Sequence, residues 1–353
     1  MAKCLRNSLY VAALMVLISS CTVGAQSTPL TGEQFTASTP SGYPASVFTS
    51  VPPRGYPGEL PASSVTGVIP TPFVLTEPPA LTGQVAFHSG SEGANNIYVL
   101  DLANGKKQQL TSGGDNIEPV WSPDGAQIAY ACKPAQGQFF ALCLMSADGT
   151  NQRQIVGGSF NNWGPSWSPD GQQLTFVSSQ DPYAHVHMLD ISSSSTRRLM
   201  NAPGNEGGPR WSADGSRIIF MADRAGGTNG SFNIYMIRPD GSEEQQLTSF
   251  GQDDRPAWSP DGRFVTFRRE VVSASTYSGN EIMLMDTNSR NVQQLTSNTL
   301  SDDWPSFSPD GQWVVYSTLR NTTPFLQIVS IQGGASAPLV KGELVGNAPD
   351  WKP

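Results

Sequence analysis

The sequence predicts an all-β fold, a six-bladed β-propeller built from four-stranded antiparallel blades. Two observations predict it: a short motif recurs at a regular interval, and each copy is followed by the alternating apolar pattern of a half-buried strand. The motif is Trp-Ser-Pro-Asp-Gly or a close variant, and its first residue stands at Trp121, Trp167, Trp211, Trp258 and Phe307. Successive copies lie 44 to 49 residues apart, a spacing typical of propeller blades.

The motif has the composition of a tight turn between two strands. Its proline fits the second turn position, its aspartate can accept bonds from nearby backbone N–H groups, and its glycine adopts a positive φ. A catalytic carboxylate is rarely needed five times in one chain, so we interpret Asp124 and its counterparts as scaffold. The aromatic residue ends one strand, and an alternating segment such as residues 127–130 begins the next.

Two further strands complete each unit. A third apolar strand begins at Asn96, His185, Asn233 and Glu281. A short fourth strand ends in Gln-Gln-Leu-Thr around Leu110, Leu247 and Leu295. The two are separated by Asn-Gly or Asp-Gly pairs at residues 104–105, 148–149 and 240–241, which are strong signals for short hairpins.

The two ends of the repeat region each hold part of a blade. Residues 84–111 supply three strands without a first strand, and residues 349–353 (PDWKP) supply a first strand without the other three. We therefore expect these segments to complete one blade together, which closes the ring and removes the free sheet edges. Five whole units and this composite blade make six, and no residues remain for a seventh.

This repeat resembles that of the TolB family, the periplasmic components of the Tol–Pal system, and that of the propellers in prolyl-oligopeptidase-class enzymes. The resemblance covers residues 84–353 and implies a propeller fold and an interaction role in the bacterial envelope. TolB proteins carry an α/β domain before the propeller, whereas the corresponding region here is proline-rich. The peptidases carry a hydrolase domain with a Gly-x-Ser-x-Gly pentapeptide, which does not occur in this sequence.

Residues 1–21 have the features of a bacterial lipoprotein signal peptide. Lys3 and Arg6 precede an apolar segment too short to span a bilayer, and LISSC ends at Cys21, the expected site of lipidation. The alternative is an ordinary secretory signal cleaved after Ala25. Residues 22–80, rich in Pro, Ser and Thr, are expected to form a flexible tether, and residues 81–353 the propeller.

These features predict a lipid-anchored protein on the extracytoplasmic side of the bacterial envelope. It would face the periplasm from the outer membrane of a diderm host, or stand on the cell surface of a monoderm one. The formal net charge is −8, and it becomes more negative when Lys3 and Arg6 are removed. This acidity excludes a nucleic-acid role and leaves the lipid anchor as the only expected membrane contact. We expect a monomer.

Two cysteines remain in the propeller, Cys132 in a second strand and Cys143 in the third strand of the same blade. Adjacent antiparallel strands can bring them together, and an exported protein meets an oxidising compartment. The prediction is a disulfide, and the alternative is a pair of buried thiols that pack as small apolar groups.

Polar residues precede the first strand of almost every blade, where we expect one mouth of the central channel. Quasi-symmetry would arrange them as a solvated ring, surrounded by further acidic and aromatic residues. The predicted binding residues are Asn116, Glu118, Asn162, Trp163, Glu206, Asp253, Asp254, Arg255, Asp302, Asp303 and Trp304. The alternative is that Asn and Asp side chains here only cap turns.

Four of these residues, Asp253, Asp254, Asp302 and Asp303, are expected to create an acidic field. Such a field favours a Lys- or Arg-bearing segment or a divalent cation. Trp163 and Trp304 would add apolar contacts. His185 and His187 point to the same side of one strand and form a candidate metal pair, but His187 stands where other blades have tyrosine, so a packing role is favoured. No resident metal or cofactor is predicted.

The sequence therefore favours a non-enzymatic interaction module that binds an envelope protein or peptide, of basic character, through the channel mouth. The alternative is a receptor for a small ligand or glycan that stacks on the two tryptophans. An enzyme, a lyase or hydrolase of the propeller type, is the third hypothesis, because no nucleophile and base stand out together.

Overall fold

The computed structural model describes residues 80–224, 231–250, 252–273, 276–298 and 300–353. These form six four-stranded antiparallel sheets, which confirms the predicted six-bladed propeller. The signal peptide, Cys21 and the proposed tether up to residue 79 lie outside the described residues. Within the described part of the chain, no helix has the length and apolar character needed to cross a membrane.

Blade 1 combines N-terminal strands of the propeller with its C-terminal strand, whereas blades 2 and 3 are each continuous in the chain. Blade 1 consists of β1 (Gln84–Ser89), β2 (Asn96–Asp101), β3 (Lys107–Gln109) and the C-terminal β24 (Asn347–Trp351). Blade 2 consists of β4 (Asp115–Trp121), β5 (Gln127–Lys133), β6 (Ala141–Ser146) and β7 (Arg153–Val156). Blade 3 consists of β8 (Asn162–Trp167), β9 (Gln173–Ser178), β10 (His185–Asp190) and β11 (Ser195–Arg198).

The other three blades follow in chain order. Blade 4 consists of β12 (Glu206–Trp211), β13 (Ile218–Ala222), β14 (Asn233–Ile237) and β15 (Gln245–Gln246). Blade 5 consists of β16 (Asp253–Trp258), β17 (Phe264–Ser273), β18 (Thr276–Asp286) and β19 (Val292–Gln294). Blade 6 consists of β20 (Ser301–Phe307), β21 (Trp313–Arg320), β22 (Thr323–Ser330) and β23 (Ala337–Pro338).

The inner strands, which line the channel and contact one another around the ring, are β24, β4, β8, β12, β16 and β20. From the inner strand outward, the strands of each blade are called a, b, c and d. In blades 2 to 6 the a–b turn is the Ser-Pro-Asp-Gly hairpin, with Ser-Ala-Asp-Gly in blade 4. In blade 2 the Ser122 hydroxyl donates to Asp124 Oδ1 over 2.6 Å, and the backbone N–H of Ala126 donates to the same oxygen over 3.0 Å.

The same arrangement recurs in the other four copies, at Ser168, Ser212, Ser259 and Ser308. These bonds lower the pKa of Asp124, and the bond from the serine hydroxyl has the largest effect. The carboxylate therefore stays charged and bonded within its own turn. The interpretation of this aspartate as scaffold is therefore confirmed.

Every inner strand contains a bulge immediately before its proline. The register with the b strand shifts there in all six blades. The residue before the proline has a positive φ, from 46° to 61°, at Glu118, Gly164, Gly208, Arg255, Trp304 and Ala348. Proline has no N–H to donate to the ladder, and a bulge accommodates the missing bond while it redirects the neighbouring side chain. The six inner strands therefore share this irregularity at the same position.

The hydrophobic core consists of six layers, one between each pair of neighbouring blades. The layer between blades 2 and 3, for example, joins Ala129 and Leu142 to Phe176 and Leu189. Motif tryptophans contribute to these layers, and Trp167 Nε1 also donates to the carbonyl of Val120 in the preceding blade over 3.3 Å. Because each blade buries its faces only against its neighbours, the ring must close to complete the core.

Closure depends on β24, which pairs with β1 so that Val85 lies opposite Trp351. Trp351 is buried in the layer between blades 6 and 1. Asp350 Oδ2 accepts a bond from the backbone N–H of Trp121 in blade 2 over 2.8 Å. In blade 2, Cys132 and Cys143 form a disulfide between the b and c strands, with their Cα atoms 5.9 Å apart.

We predict that Trp351→Ala lowers the free energy of unfolding by about 3–5 kcal/mol, because it leaves a cavity in the layer that closes the ring. Phe250→Ala is the control, since Phe250 is 77% exposed, and it should change this free energy by less than about 1 kcal/mol. Urea unfolding followed by tryptophan fluorescence and circular dichroism measures both. Equal stability of the two variants would show that closure does not depend on this side chain.

Candidate functional site

The predicted binding residues lie at one end of the channel. Each inner strand begins at this end and runs to its Ser-Pro-Asp-Gly turn at the other. Because neighbouring strands of a blade are antiparallel, the d–a connections and the b–c loops share this end. We call this end of the channel the mouth, and the surface made by the two sets of loops the mouth face.

The ring of polar residues is not solvated, contrary to expectation. The five members are 7% exposed or less, namely Asn116, Asn162, Glu206, Asp253 and Asp302. Asp253 and Asp302 are completely buried. Each of these residues enters the ladder opposite a b-strand residue, so it stands inside the sheet and under the loops. These side chains lie at the predicted end of the channel, but the prediction that they are solvated there is wrong.

These buried polar groups are bonded to the scaffold. Glu206 Oε2 accepts from the N–H of Val186 in the preceding blade over 2.9 Å, and Oε1 accepts from Arg224 over 2.8 Å. Asp302 accepts bonds from the Thr318 hydroxyl and from Asn298 Nδ2. Burial raises the pKa of Asp302 to about 6.

In blades 2, 3 and 4, the residue immediately before Asn116, Asn162 or Glu206 bonds the backbone of the preceding blade. Asp115 accepts from the N–H of Asn95 over 3.2 Å, and Asn161 accepts from the N–H of Phe140 over 2.9 Å. Asn205 accepts from the N–H of Ala184 over 3.0 Å. The alternative interpretation, in which Asn and Asp here satisfy backbone groups, thus describes these positions better, although the bonds join blades rather than cap turns.

The predicted acidic field is wrong, because arginines neutralise it. Asp253 receives two bonds from Arg269, 2.6 and 2.8 Å long. Asp254 receives two from Arg268, and Arg268 also lies 3.3 Å from Asp303.

Asp303 also contacts a second arginine, whereas Asp302 is bonded to neutral groups. Arg255 contacts Asp303 at 2.6 Å and stacks its guanidinium over Trp304 at 3.8 Å from the ring centre. Trp304 is therefore covered by an arginine and does not offer a free platform. Trp163 is half-buried and pairs with Val177.

Arg268 and Arg269 are not among the predicted site residues, although the sequence contains a signal for them. At the matching positions of the b strand the other five blades have uncharged pairs, Ala131-Cys132, Val177-Ser178, Met221-Ala222, Ser317-Thr318 and His88-Ser89. Two consecutive arginines in a half-buried strand require acidic partners. The nearest candidates along the chain are Asp253 and Asp254.

Below the mouth, Glu118 reaches into the channel from its bulge. Its Oε2 accepts from the N–H of Gly164 over 2.8 Å, and its own N–H donates to His88 Nδ1 over 3.3 Å. Burial raises the pKa of Glu118. Burial also lowers the pKa of His88 to about 4, so this imidazole is neutral at pH 7 and can accept the bond.

The two other histidines pack within blade 3. His185 Nδ1 lies 2.9 Å from Arg198 and 3.6 Å from Glu206, and burial lowers its pKa to about 4. The ring of His187 packs on Phe176. In the part of the chain that the structure describes, no group of three or more His, Cys, Asp or Glu is placed to hold a metal ion. A divalent cation at the mouth stays a prediction.

The mouth face also carries most of the exposed apolar groups. Five large apolar side chains are exposed among the described residues, and four of them lie in its loops, at Phe139, Tyr183, Phe250 and Val345. They are distributed over different blades around the mouth. Phe250, 77% exposed, covers Arg269 with its ring at 4.5 Å.

Comparison with known proteins identifies the same repeat. The family described as the TolB beta propeller domain matches residues 149–353. The structure of TolB from Acinetobacter baumannii is similar with a TM-score of 0.65 and 26% identity, over 78% of this chain and 68% of that one. No curated protein sequence matches the chain.

Two further structures share the fold. A protein described as putative TolB from Agrobacterium tumefaciens has a TM-score of 0.54 and 24% identity, over 70% of this chain and 90% of that one. An oligogalacturonate lyase in complex with manganese has a TM-score of 0.50 and 16% identity, over 73% and 74%. At these identities the similarity concerns the fold alone.

We predict that Arg269→Leu lowers the free energy of unfolding by about 3–5 kcal/mol, because it leaves the fully buried Asp253 carboxylate without its partner. The double variant Arg269→Leu/Asp253→Asn should recover part of this loss, since it removes the buried charge. Arg320→Leu is the control. Arg320 pairs with Glu343 at the surface, and such pairs contribute at most about 1 kcal/mol. Chemical unfolding measures all three, and equal losses for the two arginines would contradict the assignment.

Proposed function

The chain belongs to the TolB β-propeller domain family, and from this premise we propose that it is a non-enzymatic interaction module that binds a protein partner through its mouth face. The observation that supports this most directly is the concentration of exposed apolar side chains on that face. Aromatic residues and arginine are enriched where proteins bind one another, and large exposed rings supply anchors for a partner.

The distribution of these groups favours a macromolecular partner. Phe139 and Tyr183 belong to blades 2 and 3, whereas Phe250 and Val345 precede the inner strands of blades 5 and 1. A small molecule could contact only one of them, so a ligand that uses all four must span the mouth. The paired Asp and Arg residues beneath would then contribute hydrogen bonds and shape rather than a strong field.

Charge pairing at the mouth also changes the expected character of the partner. A strongly basic segment would gain little from Asp253, Asp254 and Asp303, because each already contacts an arginine. We propose an envelope protein that presents an apolar surface with polar groups at its margin. These titratable side chains are already paired with other residues of the propeller, which supports a binding role over catalysis.

For the N-terminal region we propose a lipid anchor at Cys21, followed by a tether. The LISSC box and the Pro-, Ser- and Thr-rich composition of residues 22–80 support this. A flexible chain of this length has an average reach on the order of 40 Å, so the propeller could meet partners at some distance from the membrane. The proposed location is the extracytoplasmic side of the bacterial envelope.

Replacing the apolar groups of the mouth face tests the binding proposal. We expect Phe139→Ser/Tyr183→Ser/Phe250→Ser to weaken binding at least tenfold, about 1.4 kcal/mol. The partner is first identified by cross-linking in the native envelope and mass spectrometry, and affinity is then measured by biolayer interferometry. Val292→Ser, an exposed residue of an outer strand, is the control and should bind as wild type. Undiminished binding by a folded triple variant would move the site to another surface.

Cys21→Ser should release the protein from the membrane fraction, because it removes the atom that receives the lipid. Cys4→Ser, within the proposed signal peptide, should leave fractionation unchanged. Immunoblots of membrane and soluble fractions measure both, together with the mass of the mature N-terminus. An unmodified wild-type N-terminus beginning after Ala25 would support the ordinary secretory signal instead.

A further inference from the structure

Two buried carboxylates meet at the junction between blades 5 and 6. Glu281 belongs to β18 in blade 5 and is 2% exposed, whereas Asp302 belongs to β20 in blade 6 and is completely buried. In the part of the chain that the structure describes, neither carboxylate forms a salt bridge, and the groups that donate to them are neutral. Burying two negative charges side by side without a cation is costly.

Asn298 bonds both carboxylates and holds them close together. Its backbone N–H donates to Glu281 Oε1 over 2.9 Å, and its side-chain Nδ2 donates to Asp302 Oδ2 over 2.7 Å. The other oxygen of Asp302 accepts from the Thr318 hydroxyl. The two acids therefore lie on either side of one residue, near enough for the charge of Glu281 to disfavour a charge on Asp302.

The hydroxyl of Thr296 contacts the same two acids. It donates to Glu281 Oε2 over 2.6 Å and accepts from the backbone N–H of Ile282 over 2.9 Å. It is also within hydrogen-bond reach of Asp302. A hydroxyl has one hydrogen to donate and two lone pairs that accept, and the hydrogen here is already donated to Glu281. The contact with Asp302 is therefore favourable when Asp302 carries a proton and donates a hydrogen bond to Thr296 Oγ1.

The junction between blades 1 and 2 has the same framework without the two charges. Its threonine, Thr111, donates to Asn96 Oδ1 over 3.2 Å and accepts from the N–H of Ile97 over 2.9 Å. The residue that corresponds to Asp302 is Asn116. Both acids of the junction between blades 5 and 6 are thus amides here, so the framework itself does not require carboxylates.

Charged groups on the inner side of the junction are paired with one another. The ion pairs of β16, β17 and β20 join Asp253 to Arg269, Asp254 to Arg268, and Asp303 to Arg255 and Arg268. Strand β17 also carries Glu270, whose side chain is half-buried. The arginines of these strands therefore neutralise acids other than Asp302.

The other strands that contact β20 are β18, β21 and β24. On β21, burial and then the charges of Asp302 and Glu281 raise the pKa of Tyr316, so this phenol stays neutral. Arg320 on β21 and Asp350 on β24 bond other groups. Glu281 on β18 is therefore the charged group that faces Asp302.

We propose that Asp302 forms a pH-sensitive contact between blades 5 and 6. At low pH it holds a proton and donates a hydrogen bond to Thr296 Oγ1, while the Thr296 hydroxyl donates to Glu281, so one negative charge remains at the junction. As the pH rises, the proton leaves to solvent, the two carboxylates repel each other, and the junction weakens. The contact needs no partner at the mouth, so it can be tested independently of the proposed binding function.

The pH range follows from the folded and unfolded states. Burial, followed by the charge of Glu281, raises the pKa of Asp302 to about 6, whereas an aspartate in an unfolded chain has a pKa of about 3.9. Between these two values the folded protein binds more protons than the unfolded chain. The contribution of Asp302 to stability is therefore largest below about pH 4 and is lost as the pH rises to about 6.

Urea unfolding at about pH 4.5 and pH 7.5 measures this contribution. Between these pH values the unfolding equilibrium constant of the wild type should increase at least tenfold more than that of Asp302→Asn, which cannot titrate at this position. Asp310→Asn is the control and should behave as wild type, because Asp310 lies in the turn at the opposite end of β20 and bonds Ser308 there. The same pH dependence in wild type and Asp302→Asn would overturn the proposal.

Carbon-13 NMR of the side-chain carboxyl groups tests the coupling directly, and it keeps the proposal testable if Asp302→Asn does not fold. In the wild type Asp302 should titrate near about pH 6. In Glu281→Gln its titration should move at least about half a pH unit lower, because the repelling charge is gone, whereas Asp310→Asn should leave it unchanged. Titration of Asp302 at its ordinary value, or at the same pH in wild type and folded Glu281→Gln, would contradict the shared junction.

Discussion

The missing N–H of one proline in each inner strand is the constraint on which the channel depends. The strand cannot continue its ladder at that residue, and the residue before it adopts a left-handed φ in all six blades. For an L-residue with a side chain this conformation costs about 1–2 kcal/mol. Glycine avoids the cost at Gly164 and Gly208, whereas Glu118, Arg255, Trp304 and Ala348 incur it. The side chains of the first three form polar or stacking contacts there.

Buried charge explains how the mouth stays folded. Asp253 and Asp302 are fully inaccessible to solvent, and the cost of burying each carboxylate is offset in a different way. Asp253 remains paired with Arg269, whereas Asp302, bonded to neutral groups, has its pKa raised to about 6 by burial. The same principle holds between blades, where Asp115, Asn161 and Asn205 each bond the backbone of the blade before. Polar side chains at this end therefore hold neighbouring blades together.

The fold could be predicted from the sequence because the turn interactions and residue patterns that define it are local and repeated. Ser122 and Asp124 satisfy their own turn, and the same bonds recur in each motif, so composition and period suffice. The site could not be predicted to the same extent. Asp253 and Arg269 are 16 residues apart in the chain, and their pairing depends on the register of two strands after a bulge.

Arg210 and Asp350 also depart from the repeat, since the other inner strands have Val120, Ser166, Ala257 and Ser306 after the proline. Residues that recur in every blade belong to the scaffold, whereas specific contacts come from residues that differ between blades.

Departures from symmetry consequently distinguish individual blades. Blade 5 has the longest b and c strands, β17 and β18, and it alone has arginines at both b-strand positions beside the mouth. Blade 2 alone has a carboxylate, Glu118, immediately before the proline of its inner strand. Glu118, in its strained bulge, accepts from the backbone of Gly164 in blade 3 and donates to His88 in blade 1, so this one departure from symmetry joins three blades.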